Sequence, residues 1–356
     1  MILMVFNNLF LICDAFANLL TGNISFLARE KSMKVILLFI TCFCFATFVF
    51  AKDPSVGRIP DEYEGGWGHT LGFAYGGTVA VSGLDSIKSN PAMLAIEKKY
   101  QVSAGYHWPT YGRDFYQLGI VDSKTSSFAA GASYISYQKK YTSWGLLTDR
   151  QKKIQAYYDT PIQSRISGAI AQVFGKFFVG VSTQYLDYKY DDKVDKGVTW
   201  GIGTVAHLTK NIRIGLSVEN MANHKHKEVA PRTYRAGVAY IVGNGVVTLH
   251  GDYRQRDRVM QEVLFSKVES AGAYDSSKKL KSSEKLLIGS ASVKIQDLLR
   301  FVGGYGYDFD QTKRQILALG IALVNKNFSL SYAVNRPYLS DGSYHQAFNM
   351  SYNMVL

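Results

Sequence analysis

The feature that most limits what this chain can become is an alternation with a period of two. From residue 100 onward, apolar side chains recur at every second position in one segment of about ten residues after another. That is the side-chain period of a β-strand and of no helix. Val102, Ala104, Tyr106 and Trp108 alternate with Gln101, Ser103, Gly105 and His107, and Ile212, Ile214, Leu216 and Val218 alternate with Arg213, Gly215, Ser217 and Glu219. Near the end, Phe348, Met350, Tyr352 and Met354 oppose Asn349, Ser351 and Asn353. One face of each strand is greasy and aromatic; the other is small or polar.

Alternation alone also suits a soluble β-sandwich, so connection lengths have to separate the two. Fourteen segments read as strands: 100–108, 113–121, 126–138, 164–174, 177–190, 196–208, 211–221, 232–241, 246–254, 285–296, 299–308, 313–324, 327–336 and 344–354. Connections after the even-numbered segments are tight, as at Gly175-Lys176 and Thr209-Lys210, whereas the odd-numbered ones include 139–163, 222–231 and 255–284. Long connections on one side, an even count and a small polar inner face predict an all-β fold: a transmembrane antiparallel β-barrel of about 14 strands, with short periplasmic turns and long external loops. Closure pairs every backbone polar group, which any sheet in lipid requires. Two stretches stay open. Residues 152–158 and 259–268 fit extra strands, and the second also fits a loop helix through Met260, Val263, Leu264 and Val268.

Composition agrees with such a barrel. The chain has 24 Tyr and 20 Phe, 47% hydrophobic and 19% charged residues, which excludes disordered, collagenous and coiled-coil chains. Tyrosine and tryptophan settle at the lipid headgroups, where one end of the ring is wet. Trp108, Tyr185, Tyr240, Tyr253, Tyr305 and Tyr307 are the girdle candidates, with ordinary cross-strand packing as the alternative for each.

The three cysteines, Cys13, Cys42 and Cys44, all precede residue 52. Within a leader over 1–51, residues 33–51 read as a signal peptide: Lys34, then an uncharged apolar run from Val35 to Phe50, then cleavage after Ala51, with Met33 as the start. Export removes every thiol and leaves 37 basic against 26 acidic residues, so neither a disulfide framework nor zinc-thiolate chemistry remains.

Residues 52–99 do not alternate; 100–356 form the expected barrel. The first stretch is too apolar for a linker and holds Gly65-Gly66, Gly76-Gly77 and Asn90-Pro91-Ala92-Met93-Leu94-Ala95. This pattern resembles the N-terminal region of the FadL-type outer-membrane transporters and the related PorV-like barrels. There, a glycine-rich turn leads to an Asn-Pro-Ala-Gly-Leu-Ala motif just before the first strand. Met93 stands in place of the usual glycine. The resemblance extends more loosely to Gly215–Met221, Pro231–Tyr240 and His345–Tyr352. It implies a fourteen-stranded barrel in which 52–99 form a luminal hatch or plug, with Gly76, Gly77, Asn90, Pro91 and Ala92 as its motif. For the fatty-acid branch it implies passive uptake of hydrophobic or amphipathic molecules such as long-chain fatty acids, with lateral exit through a strand kink. The PorV-like branch implies a secretion or surface-attachment partner without transport, for which the loop 255–284 would be the contact surface.

By parity, Phe115, Val121, Val205 and Ile316 face inward and would line a path; Arg213, Arg235 and Arg254 also face inward and suit a ligand carboxylate. Gly131 is the candidate for the kink in the third strand, with relief of crowding in a small lumen as the alternative. His250 and Asp252 share a face, but no second acidic pair and no Gly-x-Ser-x-Gly or His-Glu-x-x-His motif accompanies them, so no enzyme is expected. Gly201-Ile202-Gly203 opens no helix and so is no dinucleotide turn. His224-Lys225-His226-Lys227 reads as a solvated basic tip rather than a metal site, and no cofactor motif appears. The scattered basic residues suit lipopolysaccharide phosphates better than nucleic acid.

Overall fold

The computed structural model describes residues 71–108, 114–138, 162–190, 193–221, 230–261, 279–296, 298–309, 315–325, 327–336 and 345–354. The expected leader with its expected cleavage site, the 152–158 stretch and the 224–227 histidine pair lie outside them.

Fourteen strands follow in order: β1 (Tyr100–His107), β2 (Asp114–Asp122), β3 (Phe128–Gln138), β4 (Ile162–Phe174), β5 (Phe177–Tyr190), β6 (Lys193–His207), β7 (Ile212–Glu219), β8 (Thr233–Val242), β9 (Val247–Gln261), β10 (Lys279–Ile295), β11 (Leu299–Asp308), β12 (Gln315–Val324), β13 (Phe328–Arg336) and β14 (His345–Met354). Each pairs antiparallel with its sequence neighbours, and β1 pairs with β14, so the sheet closes. Every predicted segment coincides with one strand.

The two faces fall as the alternation requires. In β14, Ala347, Asn349 and Ser351 are buried while Phe348, Met350 and Tyr352 are exposed. Leu118, Ile170, Phe177 and Leu216 are more than half exposed on the outside. An apolar band of that extent is unstable in water and stable in hydrocarbon. At the long-loop end, Trp108 stacks near Tyr106 at 5.5 Å and lies 6.2 Å from Tyr332, while Tyr106 lies 5.0 Å from Tyr116, forming one part of an aromatic girdle.

The tight turns are held by side chains that take up otherwise unpaired N–H groups. Asp122 accepts from the backbone of Lys124 and Thr125, Thr209 from Asn211 and Ile212, and Asn325 from Asn327 and Phe328.

The loop expected over 255–284 is shorter than its sequence suggests. β9 runs to Gln261 and β10 starts at Lys279, with Gln261 opposite Lys279. Met260 is therefore in a strand rather than on a helical stripe, and Val263, Leu264 and Val268 lie outside the described residues. A continuing ladder adds backbone bonds one pair at a time, whereas an isolated loop helix must first form a costly nucleus.

Candidate functional site

Residues 71–99 lie against the inner wall of the barrel, and the Asn-Pro-Ala motif is what fastens them. Asn90 is fully buried. Its side-chain oxygen accepts from the Ala92 N–H at 3.2 Å, capping the 3-10 turn Pro91–Ala95, with Pro91 at the first position where its missing N–H costs nothing. Its Nδ2 donates to the Thr78 carbonyl at 3.0 Å and to the Thr204 carbonyl of β6 at 3.2 Å. The wall is cut away to admit the motif. A Cβ at Gly180 would collide with the backbone of Pro91 and Ala92, and one at Gly203 would collide with the Asn90 amide. The glycines that mimic a dinucleotide fingerprint thus serve close packing.

The glycine pair is held just as directly. Asp252 of β9, buried, accepts the Gly77 N–H at 3.2 Å and the Thr78 N–H at 2.9 Å. Gly77 has φ +111°, and Gly76 approaches so closely that a Cβ would lie 3.0 Å from the Asp252 carboxylate. Just before them, Ala74 and Tyr75 adopt positive φ values of 53° and 66°, uncommon for side-chain-bearing residues. Tyr75 is pinned from three sides: its carbonyl accepts from Arg235 at 3.2 Å, its hydroxyl bonds His345 Nδ1 at 2.8 Å, and the Arg254 guanidinium lies 5.9 Å from its ring centroid. Ser217 donates to the Ser89 carbonyl and Asn335 to that of Leu71.

The predicted lining residues fall into two groups. Val121 and Val205 belong to a buried cluster with Val79, Leu84, Ile87 and Leu94, and Ile316 to another with Leu71, Ala74 and Tyr75. All three are covered by the 71–99 segment. Phe115 instead packs with Ile135, Tyr137, Leu186 and Ala230, away from that segment. The arginines divide as well. Arg235 pairs with Glu219 at 3.1 Å and Arg254 with Glu284 at 2.5 Å, both pairs buried, while Arg213 is half-buried on β7.

No kink occurs at Gly131. β3 pairs without a register shift on both sides, from Phe128 to Ser136 against β4 and from Ala130 to Gln138 against β2. A Cβ at Gly131 would stand 3.1 Å from Ile87 Cδ1 and 3.2 Å from Leu94 Cδ2, so this glycine makes room for the inner segment. The irregularity nearby is in β4, between Ile162 and Ser164.

His250 and Asp252 are not arranged as a base and its orienter. Asp252 is occupied by two backbone N–H groups, and the His250 ring meets Phe73 edge-on at 5.2 Å. Among the described residues no group of three or more His, Cys, Asp or Glu is placed to hold a metal ion. At the short-turn end, Lys99 bonds Glu97 at 2.9 Å. The Lys99 ammonium holds the Glu97 carboxyl well below its ordinary range, at about 2, with Arg300 adding to the effect.

Parity was enough to place Ser217 and Asn335 on the inner wall, but sequence reasoning missed that they bond the segment, and it left Glu284, the partner of Arg254, in the 255–284 loop. Thr204 gave no signal, because it contributes only its carbonyl oxygen.

No protein-family profile and no curated sequence matches this chain. Solved structures do match in shape. A FadL homologue from Pseudomonas aeruginosa is 11% identical, with a TM-score of 0.51 over 81% of this chain and 98% of that one. A deltaS2 mutant of the TodX monoaromatic hydrocarbon channel is 14% identical, with a TM-score of 0.51 over 82% of this chain and 99% of that one. The chain has the FadL-type barrel fold. In this FadL-type barrel, Met93, where the motif usually has glycine, is buried in the cluster formed by Leu84, Leu94 and Val121. The departure therefore adds packing rather than disturbing the turn, whose Met93 N–H still reaches the Asn90 carbonyl at 3.0 Å.

Proposed function

We propose that this protein is a passive outer-membrane channel for hydrophobic or amphipathic small molecules, long-chain fatty acids among them, exported by its N-terminal signal peptide, with residues 52–99 as a hatch in the lumen. The observation that carries the reading is the apolar cluster of Phe115, Ile135, Tyr137 and Leu186 on the inner faces of β2, β3 and β5. An aqueous pore presents polar groups there; an apolar solute needs a greasy wall. The hydrocarbon channel named above has the same fold, which supports the reading. Phe115, Val121, Val205 and Ile316 line the route once the hatch moves. Of the three arginines, Arg213 is the one without a salt bridge described above, and Arg235 and Arg254 reach an anion only by exchanging a glutamate for it. The surplus of basic residues meets lipopolysaccharide phosphates.

A second reading has an observation of its own. β9 and β10 stay paired from Gln261–Lys279 onward, five pairs beyond the Arg256–Glu284 pair where β8 ends. A hairpin standing that far above its neighbour suits docking of a partner, as in the PorV-like branch.

Cells whose outer membrane lacks other hydrophobic-compound channels test the first reading. Expression of the protein is expected to raise the initial uptake of labelled hydrophobic or amphipathic solutes, long-chain fatty acid among those offered, and uptake of every one of them equal to the empty vector overturns it. Deletion of 262–278 is expected to leave that uptake in place; loss of a co-purifying partner on the same deletion would favour docking.

A further inference from the structure

On the lumen wall Gly105 of β1 lies opposite Gln117 of β2 on one side and Asn349 of β14 on the other. Both amides are buried, 2% and 6% exposed. The Asn349 side chain leans over Gly105 into the space that a Cβ there would take. Among the described residues neither polar atom of Asn349 has a hydrogen-bond partner, nor does Gln117 Oε1, nor does Nε2 of His107, one inner position further along β1. Each such atom costs about 1–3 kcal/mol when buried unpaired, so a cluster of them calls for a partner. His107 stacks on Phe115 at 4.2 Å, and Phe115 meets Tyr137 at 5.1 Å. The polar cradle therefore continues directly into the apolar wall.

We propose that this cradle binds the hydroxyl head of an uncharged amphiphile whose apolar body lies along Phe115, Tyr137 and Leu186. The inference deepens the channel reading and rests on it. A hydroxyl can donate to an amide oxygen and accept from Asn349 Nδ2 at once. A carboxylate only accepts, and would face the oxygens of Gln117 and Asn349. An alkane would leave all four atoms unpaired. Of the arginines that would welcome a carboxylate, Arg235 and Arg254 already hold Glu219 and Glu284, and Arg213 stands on β7, across the barrel from the β14–β1–β2 cradle.

The test compares initial uptake of labelled decan-1-ol, decanoate and decane at neutral pH in the same channel-deficient cells. The protein is expected to raise decanol uptake most. The Gln117→Leu/Asn349→Leu variant is expected to lower the decanol-to-decane ratio by about fivefold for each hydrogen bond lost. His107→Phe, which keeps the ring stack, lowers the same ratio and guards against misfolding of the double variant. Decanoate taken up as fast as decanol, or a ratio unchanged in both variants, overturns the cradle while decane uptake leaves the channel standing. No gain for any of the three overturns the channel reading itself.

Discussion

The side-chain nitrogen of Asn90 reaches the Thr204 carbonyl oxygen of the wall at 3.2 Å while its oxygen caps the Ala92 N–H at the same distance. One residue thus both shapes the inner segment and ties it to β6. Asn90→Ala removes a cap and leaves buried carbonyls unpaired, a loss of about 2–4 kcal/mol. Asn90→Asp keeps the cap acceptor but cannot donate to Thr78 or Thr204, so it is expected to be at least as damaging. Thermal loss of the compact, heat-modifiable band on electrophoresis measures both, and an aspartate variant as stable as wild type would contradict this account.

Gly180 separates the stability of the barrel from the seating of the segment. A side chain there meets the backbone of Pro91 and Ala92, which cannot rotate aside. Gly180→Val is expected to leave the strands paired, since valine suits a strand, and to expel the segment. Limited proteolysis reads this as new cleavage between residues 71 and 99 with the barrel fragment intact.

Acid loosens the same segment at its other end. The Glu97 carboxyl is depressed from 4.5 to about 2 by Lys99. A carboxyl lowered on folding contributes stability that is complete above its unfolded value and drains as pH falls through the folded one. The window is therefore pH 4.5 down to about 2. Glu97 is 53% exposed, so the contribution is that of a surface pair, about 0–1 kcal/mol. Protease sensitivity of the segment is expected to rise across that window in the wild type and to rise less for Glu97→Gln, in which the Asp252 carboxylate is still protonated by acid.

Most of the wall was legible because its code is binary. Each strand needs only outward apolar and inward small residues, and a one-residue slip would turn Phe348 and Met350 inward. The β9–β10 hairpin was harder, since the two arms beyond Arg256 pair only with each other past the end of β8, and their sequence does not continue the alternation of the wall. The segment was legible only where it carries a motif. Asn90 stands out by resemblance, whereas Tyr75 is fixed by partners 160 and 270 residues away, Arg235 and His345, which no local spacing reveals. Gly131 was ambiguous for a related reason. A glycine on an inner face signals that something comes close, and the sequence does not say whether that is a bent strand or another piece of chain.

The Arg254–Glu284 pair shows how costly an unmatched charge is inside the lumen. Both side chains are 1% exposed and 2.5 Å apart. Removing one partner takes from the other its counter-ion at 2.5 Å, so Arg254→Met alone is expected to destabilise, by up to about 3–5 kcal/mol. Removing both with groups of similar volume, Arg254→Met with Glu284→Gln, takes away both charges of the pair, with Arg256 still opposite position 284, and is expected to recover part of that loss. Denaturant titration of the four members of this cycle gives the coupling directly. A double variant that merely adds the two single losses would mean that the pair is screened and contributes no coupling of its own.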